Sequence, residues 1–141
     1  MAKTLRIGVA GLGTVGAGVL DILARHGALI AARAGVTLEV TAVSARDKTK
    51  NRGHDLSRLA WYDDPVEMAA RTDIDVFVEL MGGSEGAARQ AVETALDHGT
   101  SVVTANKALL AHHGADLARR AEAHGAALNF EASVAGGIPI I

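Results

Sequence analysis

The residues with the plainest chemical meaning are Gly11-Leu12-Gly13-Thr14-Val15-Gly16, a G-x-G-x-x-G run. The pattern alone is weak, and its context gives it meaning. It follows Leu5-Arg6-Ile7-Gly8-Val9-Ala10, which reads as a buried strand, and it opens a segment of helical periodicity. In that setting Gly11 permits a tight turn, Gly13 lets the backbone approach a pyrophosphate, and Gly16 lets helix and strand pack closely. The helix N-terminus offers free N–H groups and a positive dipole end to the phosphates. Leu12, Thr14 and Val15 belong to the same dinucleotide-binding loop. The competing reading is a strand–helix turn with a structural role only.

Choice of dinucleotide is read at the end of the second strand, where a carboxylate would hold the ribose 2′-hydroxyl and favour NAD(H). Here that strand ends Val43-Ser44-Ala45-Arg46-Asp47, so the first charged residue is Arg46. Lys48, Lys50 and Arg52 add positive charge close by. A guanidinium can grip a 2′-phosphate through paired hydrogen bonds, so Arg46 and Lys50 favour NADP(H). Asp47 could still reach the ribose, which leaves NAD(H) open, and the basic loop could also be a solvated surface.

Two further positions could carry chemistry. Lys107, in Thr104-Ala105-Asn106-Lys107, follows a strand and begins a helix, where the dipole disfavours a cation. Its ammonium could hold a substrate carboxylate or share in proton transfer to a carbonyl oxygen; otherwise it is a surface lysine. Glu79 interrupts an apolar strand, and Met81-Gly82-Gly83 follow, a glycine pair that allows close approach beside the nicotinamide end. Glu79 either orients a ligand or is a buried carboxylate satisfied by backbone N–H groups. Glu85 reads as a first-turn carboxylate on its helix. Adjacent His112 and His113 point in different directions on a helix, and His26, His98 and His124 fall near helix ends, so none of the six histidines is expected to bind a metal.

These residues need elements to position them. Strands are expected at 5–10, 36–43, 75–80, 100–104 and 127–130. Helices are expected from Val15 to about Arg33 with Val15, Val19, Ile22 and Leu23 on one face, from Pro65 with Asp64 as cap, and from a Ser84 cap to about His98. A last helix runs from Ala108 to His124, interrupted near Gly114. Strands alternating with helices imply an α/β fold: a doubly wound parallel sheet of Rossmann type. A chain of 141 residues suits one domain at about 100–200 residues each. A net charge of −2 argues against a nucleic-acid partner, and with no cysteine the chain has no thiol nucleophile or zinc–cysteine site. No targeting or membrane segment is read at the start, so a cytoplasmic protein is expected. With only 3% aromatic residues the core must be aliphatic.

Glu79-Leu80-Met81-Gly82-Gly83, Thr104-Ala105-Asn106-Lys107-Ala108-Leu109-Leu110-Ala111 and Phe130-Glu131-Ala132-Ser133-Val134-Ala135-Gly136-Gly137-Ile138-Pro139-Ile140-Ile141, with the glycine loop, resemble homoserine dehydrogenase along the whole chain. One departure is Gly86-Ala87 after Glu85, where the family often has Pro-Ala. The resemblance implies reversible hydride transfer between a nicotinamide cofactor and aspartate 4-semialdehyde or homoserine, in threonine and methionine biosynthesis. It implies that Lys107 is an active-site lysine beside the nicotinamide, in contact with the cofactor, and that Glu131, Val134, Gly136 and Ile138 hold a sodium ion through backbone carbonyls. It also implies residues 1–132 as the dinucleotide-binding domain and 133–141 as the start of a truncated substrate and dimerisation domain. The full-length enzyme would then be a homo-oligomer acting on a small molecule, and this chain alone would be inactive. Two other readings stand beside it: another semialdehyde or imine reductase of the same fold, and a non-catalytic nucleotide-sensing domain.

Overall fold

The computed structural model describes residues 3–138. In chain order it contains β1 (Lys3–Ala10), α1 (Thr14–Ala34), β2 (Val36–Ser44), β3 (Ala60–Tyr62), α2 (Pro65–Ala69), β4 (Val76–Glu79), α3 (Ala87–Asp97), β5 (Ser101–Thr104), α4 (Lys107–Ala123) and β6 (Leu128–Asn129). Two single 3-10 turns follow, Glu131–Ser133 and Ala135–Gly137. Pro139 to Ile141, expected to belong to the start of a substrate and dimerisation domain, lie outside the described residues.

The strands form one sheet in the order β3-β2-β1-β4-β5-β6, with every neighbouring pair parallel. Alternate residues of β1 serve opposite faces, as strand geometry requires. Ile7 and Val9 pack with Leu20 of α1 and Val43 of β2 on one face. On the other, Ala10 joins Phe77, Val102, Met68 and the small residues Ala91 and Ala95 of α3, with Leu109, Leu117 and Ala121 of α4. Helices on both faces make the sheet doubly wound, as expected, around a largely aliphatic core.

Four local expectations change. The strand β3 was unforeseen; it is three residues long and pairs only with β2, at the sheet edge. In α1 the buried residues are Gly16 and Leu20, with Leu23 packed beside them, whereas Val15 and Ile22 are more than half exposed. Close contact at Gly16 turns the 16–20–23 stripe toward the sheet, so of the expected face Leu23 packs there while Val15 and Ile22 do not; His26 falls mid-helix. The helix α3 begins at Ala87 with Gly86 as its cap, because Gly82, Gly83 and Gly86 all take positive φ and carry the chain past Ser84 in a loop. Helix α4 runs unbroken through Gly114, and Asn106 caps it by accepting the Leu109 N–H at 3.0 Å. Asp64 caps α2 as expected, accepting from Val66 N–H at 2.8 Å with Pro65 first in the helix. Helix α1 is long and apolar enough to cross a membrane, yet it lays Leu20 and Leu23 on the sheet.

The register between β1 and β2 slips by one residue between Ile7 and Gly8, leaving Thr41 as a bulge. The slip sets Ser44 opposite Ala10, and the Ser44 carbonyl accepts the Gly11 N–H at 2.9 Å. A fault in strand pairing thus fixes where the glycine turn leaves the sheet.

Candidate functional site

Beyond the carboxyl ends of β1, β2 and β4 lies a cleft of about 680 Å³. It sits where strand order reverses, between β1 and β4, the position at which open α/β sheets receive ligands. Its volume suits a small-molecule ligand, for which about 300–1,000 Å³ is usual. One wall is Gly11, Leu12 and Gly13, the second is Ser44 to Asp47 with Lys50 and Arg52, and the third is Leu80, Met81 and Gly82.

The three glycines of the loop meet different surroundings. Gly11 has φ +99°, and a Cβ there would lie 2.6 Å from the Leu80 carbonyl oxygen, so the turn is pressed against the end of β4. A Cβ on Gly16 would overlap the Gly11 carbonyl oxygen, which is why the helix can start only with glycine at that point. Gly13 is different: its Cβ would meet nothing within 4 Å, and its backbone is extended. Gly13 is the N-cap of α1, with no side-chain cap and no acidic residue in the first turn. The first helical bond runs from Ala17 N–H to the Gly13 carbonyl at 2.9 Å, so the N–H groups of Thr14, Val15 and Gly16 precede the helical ladder. An exposed helix start with a positive dipole end and no acid of its own is suited to an anion.

Arg46 and Lys50 are both exposed and both line the cleft. Asp47 also lines it, but its Oδ1 accepts from the Thr49 N–H at 2.8 Å and the Thr49 hydroxyl at 2.7 Å. Those two bonds hold its carboxyl below the usual carboxylate range. One oxygen of the acid that could serve a ribose is thus engaged in its own turn. Arg52, expected only to add charge, has a more specific place. Its guanidinium donates to the carbonyls of Leu12 at 3.1 Å, Lys50 at 2.9 Å and Asp47 at 2.7 Å.

At the other end of the cleft Glu79 is fully buried. Its Oε1 accepts the N–H groups of Met81 at 2.7 Å and Gly82 at 3.0 Å, and its Oε2 accepts the Thr104 hydroxyl at 2.6 Å. Thr104 Oγ1 accepts the Asn106 N–H at 3.0 Å, and Asn106 Nδ2 donates to the Gly83 carbonyl at 2.6 Å. Of the two readings of Glu79, the bonds support a buried carboxylate satisfied mainly by backbone N–H groups. The ring of bonds ties the loop after β4 to the loop after β5. Nothing in the sequence spacing of Glu79, Thr104 and Asn106 announces it except that all three polar residues sit at strand ends.

Gly11, Leu12, Gly13, Arg46, Lys50, Met81 and Gly82 thus come together around one cleft. Gly16 lies buried beneath it, and Thr14 and Val15 are exposed at the helix start. Lys107 is exposed as the first residue of α4, next to the Asn106 cap, and is not part of the cleft wall. Glu131, Val134, Gly136 and Ile138 fall in the two 3-10 turns and at the residue after them, all exposed. There the Val134 N–H donates to the Glu131 carbonyl at 3.1 Å, and Ala135 and Gly136 both take positive φ. Among the described residues no cluster of three or more histidine or acidic side chains could hold a metal. His98 and His124 sit at helix C-caps, their Nδ1 atoms 2.8 and 3.0 Å from the Thr94 and Arg120 carbonyls. His113 Nε2 meets Glu85 Oε1 at 2.6 Å. With Arg89, that contact holds the Glu85 carboxyl below its usual range. Glu85 precedes α3 instead of lying in its first turn.

A parallel sheet of this order, with a glycine turn and a bare helix start at the point of reversal, defines a Rossmann-type dinucleotide-binding domain. A family described as "Homoserine dehydrogenase, NAD binding domain" matches residues 11–131. The chain belongs to that family. It is 42% identical over 139 residues to a homoserine dehydrogenase of Neisseria gonorrhoeae, covering 99% of this chain and 32% of that protein. It is 44% identical over 139 residues to one of Mycobacterium bovis, covering 99% of this chain and 31% of that protein. A crystal structure of a homoserine dehydrogenase from Thiobacillus denitrificans superposes with a TM-score of 0.88 at 40% identity, covering 98% of this chain and 32% of that one. The chain therefore spans about a third of the length of the curated relatives it matches.

Proposed function

We propose that this chain is the cofactor-binding portion of a homoserine dehydrogenase, with NADP(H) as the preferred dinucleotide. The observation that carries the reading is the bare N-terminus of α1, opening into a cleft whose far wall presents Arg46 and Lys50. Gly13 leaves the space a pyrophosphate needs, so the residues present fit the group. When bound, the dinucleotide supplies or accepts a hydride, balanced by one proton, in interconverting aspartate 4-semialdehyde and homoserine. The protein's part is position and charge. The N–H groups at 14–16 receive phosphate oxygens, and the Arg46 guanidinium and Lys50 ammonium face the 2′-phosphate. The Met81–Gly82 backbone, fixed by Glu79, borders the nicotinamide end.

Lys107 is assigned the active-site role of holding substrate or passing a proton. The Asn106–Gly83 bond supports this, because it ties the start of α4 to the loop beside the nicotinamide. The sodium site is assigned to the carbonyls of Glu131, Val134, Gly136 and Ile138. Two successive tight turns, the second opening on the left-handed residues Ala135 and Gly136, support a carbonyl cage, since oxygen donors suit a hard cation. In this reading residues 1–132 form the dinucleotide domain and 133–141 begin the substrate and dimerisation region. The full enzyme works in the cytoplasm as a homo-oligomer on a small-molecule substrate.

The cofactor preference is tested by calorimetry of NADPH and NADH binding to the wild-type chain and to Arg46→Ala. Loss of one charge-assisted contact of about 1.5–3 kcal/mol should weaken NADPH at least ~10-fold. NADH should change little. A wild-type preference for NADH, or equal losses for both cofactors, would overturn the assignment of Arg46.

A further inference from the structure

We infer that Arg52 is a positioning residue that sets the cofactor preference: it clamps the basic loop after β2 onto the glycine loop, so that Arg46 and Lys50 are presented to the 2′-phosphate. This rests on the cofactor reading above and deepens it. The guanidinium spends Nε on Leu12, NH1 on Lys50 and NH2 on Asp47, all of them backbone carbonyls. One of these lies in the glycine loop, 40 residues earlier in the chain, and the other two lie in the basic loop. All three guanidinium nitrogens thus donate to backbone, which takes up three of the five N–H donors. The same group lies over the Trp61 ring of β3, 5.6 Å from its centroid, and Lys48 stands 5.9 Å from that ring. Trp61 is in turn anchored by its Nε1–H to Asp63 at 2.9 Å. The rest of the loop is held by short turns of its own, Asp47 with Thr49 and Asn51 with Gly53. Arg52 is the only side chain of residues 46–53 whose recorded hydrogen bonds reach the glycine loop. Lysine cannot replace it, since a single ammonium lacks the planar fork that spans three carbonyls.

The chain carries a single tryptophan, so Trp61 fluorescence reports the clamp directly. The experiment compares wild type, Arg46→Ala, Arg52→Lys, Arg52→Ala and the double variant Arg46→Ala/Arg52→Lys. In the ligand-free protein, Arg52→Lys should change Trp61 emission and quicken amide exchange across 46–53, with the circular dichroism of the sheet and helices intact. Arg46→Ala should do neither. On titration, Arg52→Lys should lower the ratio of NADPH to NADH affinity about 10-fold, as loss of a charge-assisted contact does. In the Arg46→Ala background the same change should have a smaller further effect on that ratio, that of Lys50 alone. Full additivity of the two substitutions would make Arg52 an independent phosphate ligand and overturn the proposal. So would unchanged Trp61 emission and loop exchange in Arg52→Lys. If Arg52→Ala fails to fold, Arg52→Lys still decides the matter. Failure of the wild-type chain to bind either dinucleotide would sink the cofactor reading, and with it the selectivity role, while the ligand-free measurements would still show whether the clamp exists.

Discussion

Alanine at Gly13 and alanine at Gly16 should have opposite consequences, although the two glycines are three residues apart in one motif. At Gly16 the new methyl would overlap the Gly11 carbonyl oxygen and stand 2.9 Å from the Gly11 carbonyl carbon. Both atoms are backbone, and Gly11 is itself pressed against Leu80, so nothing nearby can give way. Overpacking of this kind costs about 3 kcal/mol or more when the obstacle is rigid. For a chain of this size that corresponds to a fall in Tm of roughly 10 °C. At Gly13 the methyl meets nothing within 4 Å and the backbone is extended. Stability should stay near wild type, because the gain of about 0.4–1 kcal/mol from a narrowed unfolded ensemble is offset by alanine's poorer fit as an N-cap. Binding should fail instead, since the methyl occupies the approach to the pyrophosphate. The assay is a pair of measurements on each variant: thermal unfolding without ligand, and calorimetric titration with NADPH. Gly13→Ala should keep its Tm and lose affinity at least ~10-fold, the effect of about 1.4 kcal/mol. A Gly13→Ala protein that binds as wild type does, or a Gly16→Ala protein as stable as wild type, would refute the division of roles.

Glu79→Ala should strip the acceptor from two backbone N–H groups and the Thr104 hydroxyl, costing about 3–5 kcal/mol in chemical denaturation. Glu79→Gln keeps one acceptor oxygen but turns an NH2 toward Thr104 Oγ1, which already accepts from Asn106, and should cost about 1–2 kcal/mol. Acid should destabilise the protein through the Arg6–Asp75 pair. Arg6 donates to both oxygens of Asp75, at 3.0 and 3.1 Å, and its hydrogen bonds hold that carboxyl below its ordinary value of 3.8. A depressed carboxylate stabilises the fold above the unfolded pKa, and that stability fades as pH falls from there through the folded value. Urea midpoints measured from pH 6 down to pH 2 should therefore drop below about pH 4, and Asp75→Asn should flatten that drop. An unchanged slope in Asp75→Asn would remove Arg6–Asp75 as a cause. In a full-length enzyme carrying this domain, Lys107→Ala should lower kcat while leaving the dinucleotide affinity of the free enzyme near wild type. A lost affinity would place Lys107 on the cofactor instead.

Much of the fold was legible because it depends on local signals. The strands expected at 5–10, 36–43, 75–80 and 100–104 lie between turn residues, and the structure places a strand of the sheet in each, at Lys3–Ala10, Val36–Ser44, Val76–Glu79 and Ser101–Thr104. The glycine loop was legible for the same reason: its spacing encodes the contacts of Gly11 and Gly16 with nearby backbone. What was not legible depends on distant partners. Ala60–Tyr62 is too short to show a period and becomes a strand only because β2 offers it an edge. The face of α1 is set by one close approach at Gly16, which hydrophobic spacing cannot weigh. Local sequence leaves Glu79 as a ligand or a structural carboxylate, because the hydroxyl that donates to it belongs to Thr104, 25 residues on. Arg52 looked like one more surface cation, since its partner in the glycine loop lies 40 residues away.

The central claim is that a dinucleotide lies across the carboxyl ends of β1, β2 and β4, with its phosphates on the start of α1. Amide chemical-shift mapping of the chain during titration with NADPH tests this most directly. The account predicts saturable shifts at Gly13, Thr14, Val15 and Gly16, at the basic loop from Arg46 to Arg52, and at Met81 and Gly82, with β6 and the far end of α1 unmoved. Absence of saturable shifts, or shifts that leave residues 13–16 untouched, would contradict it.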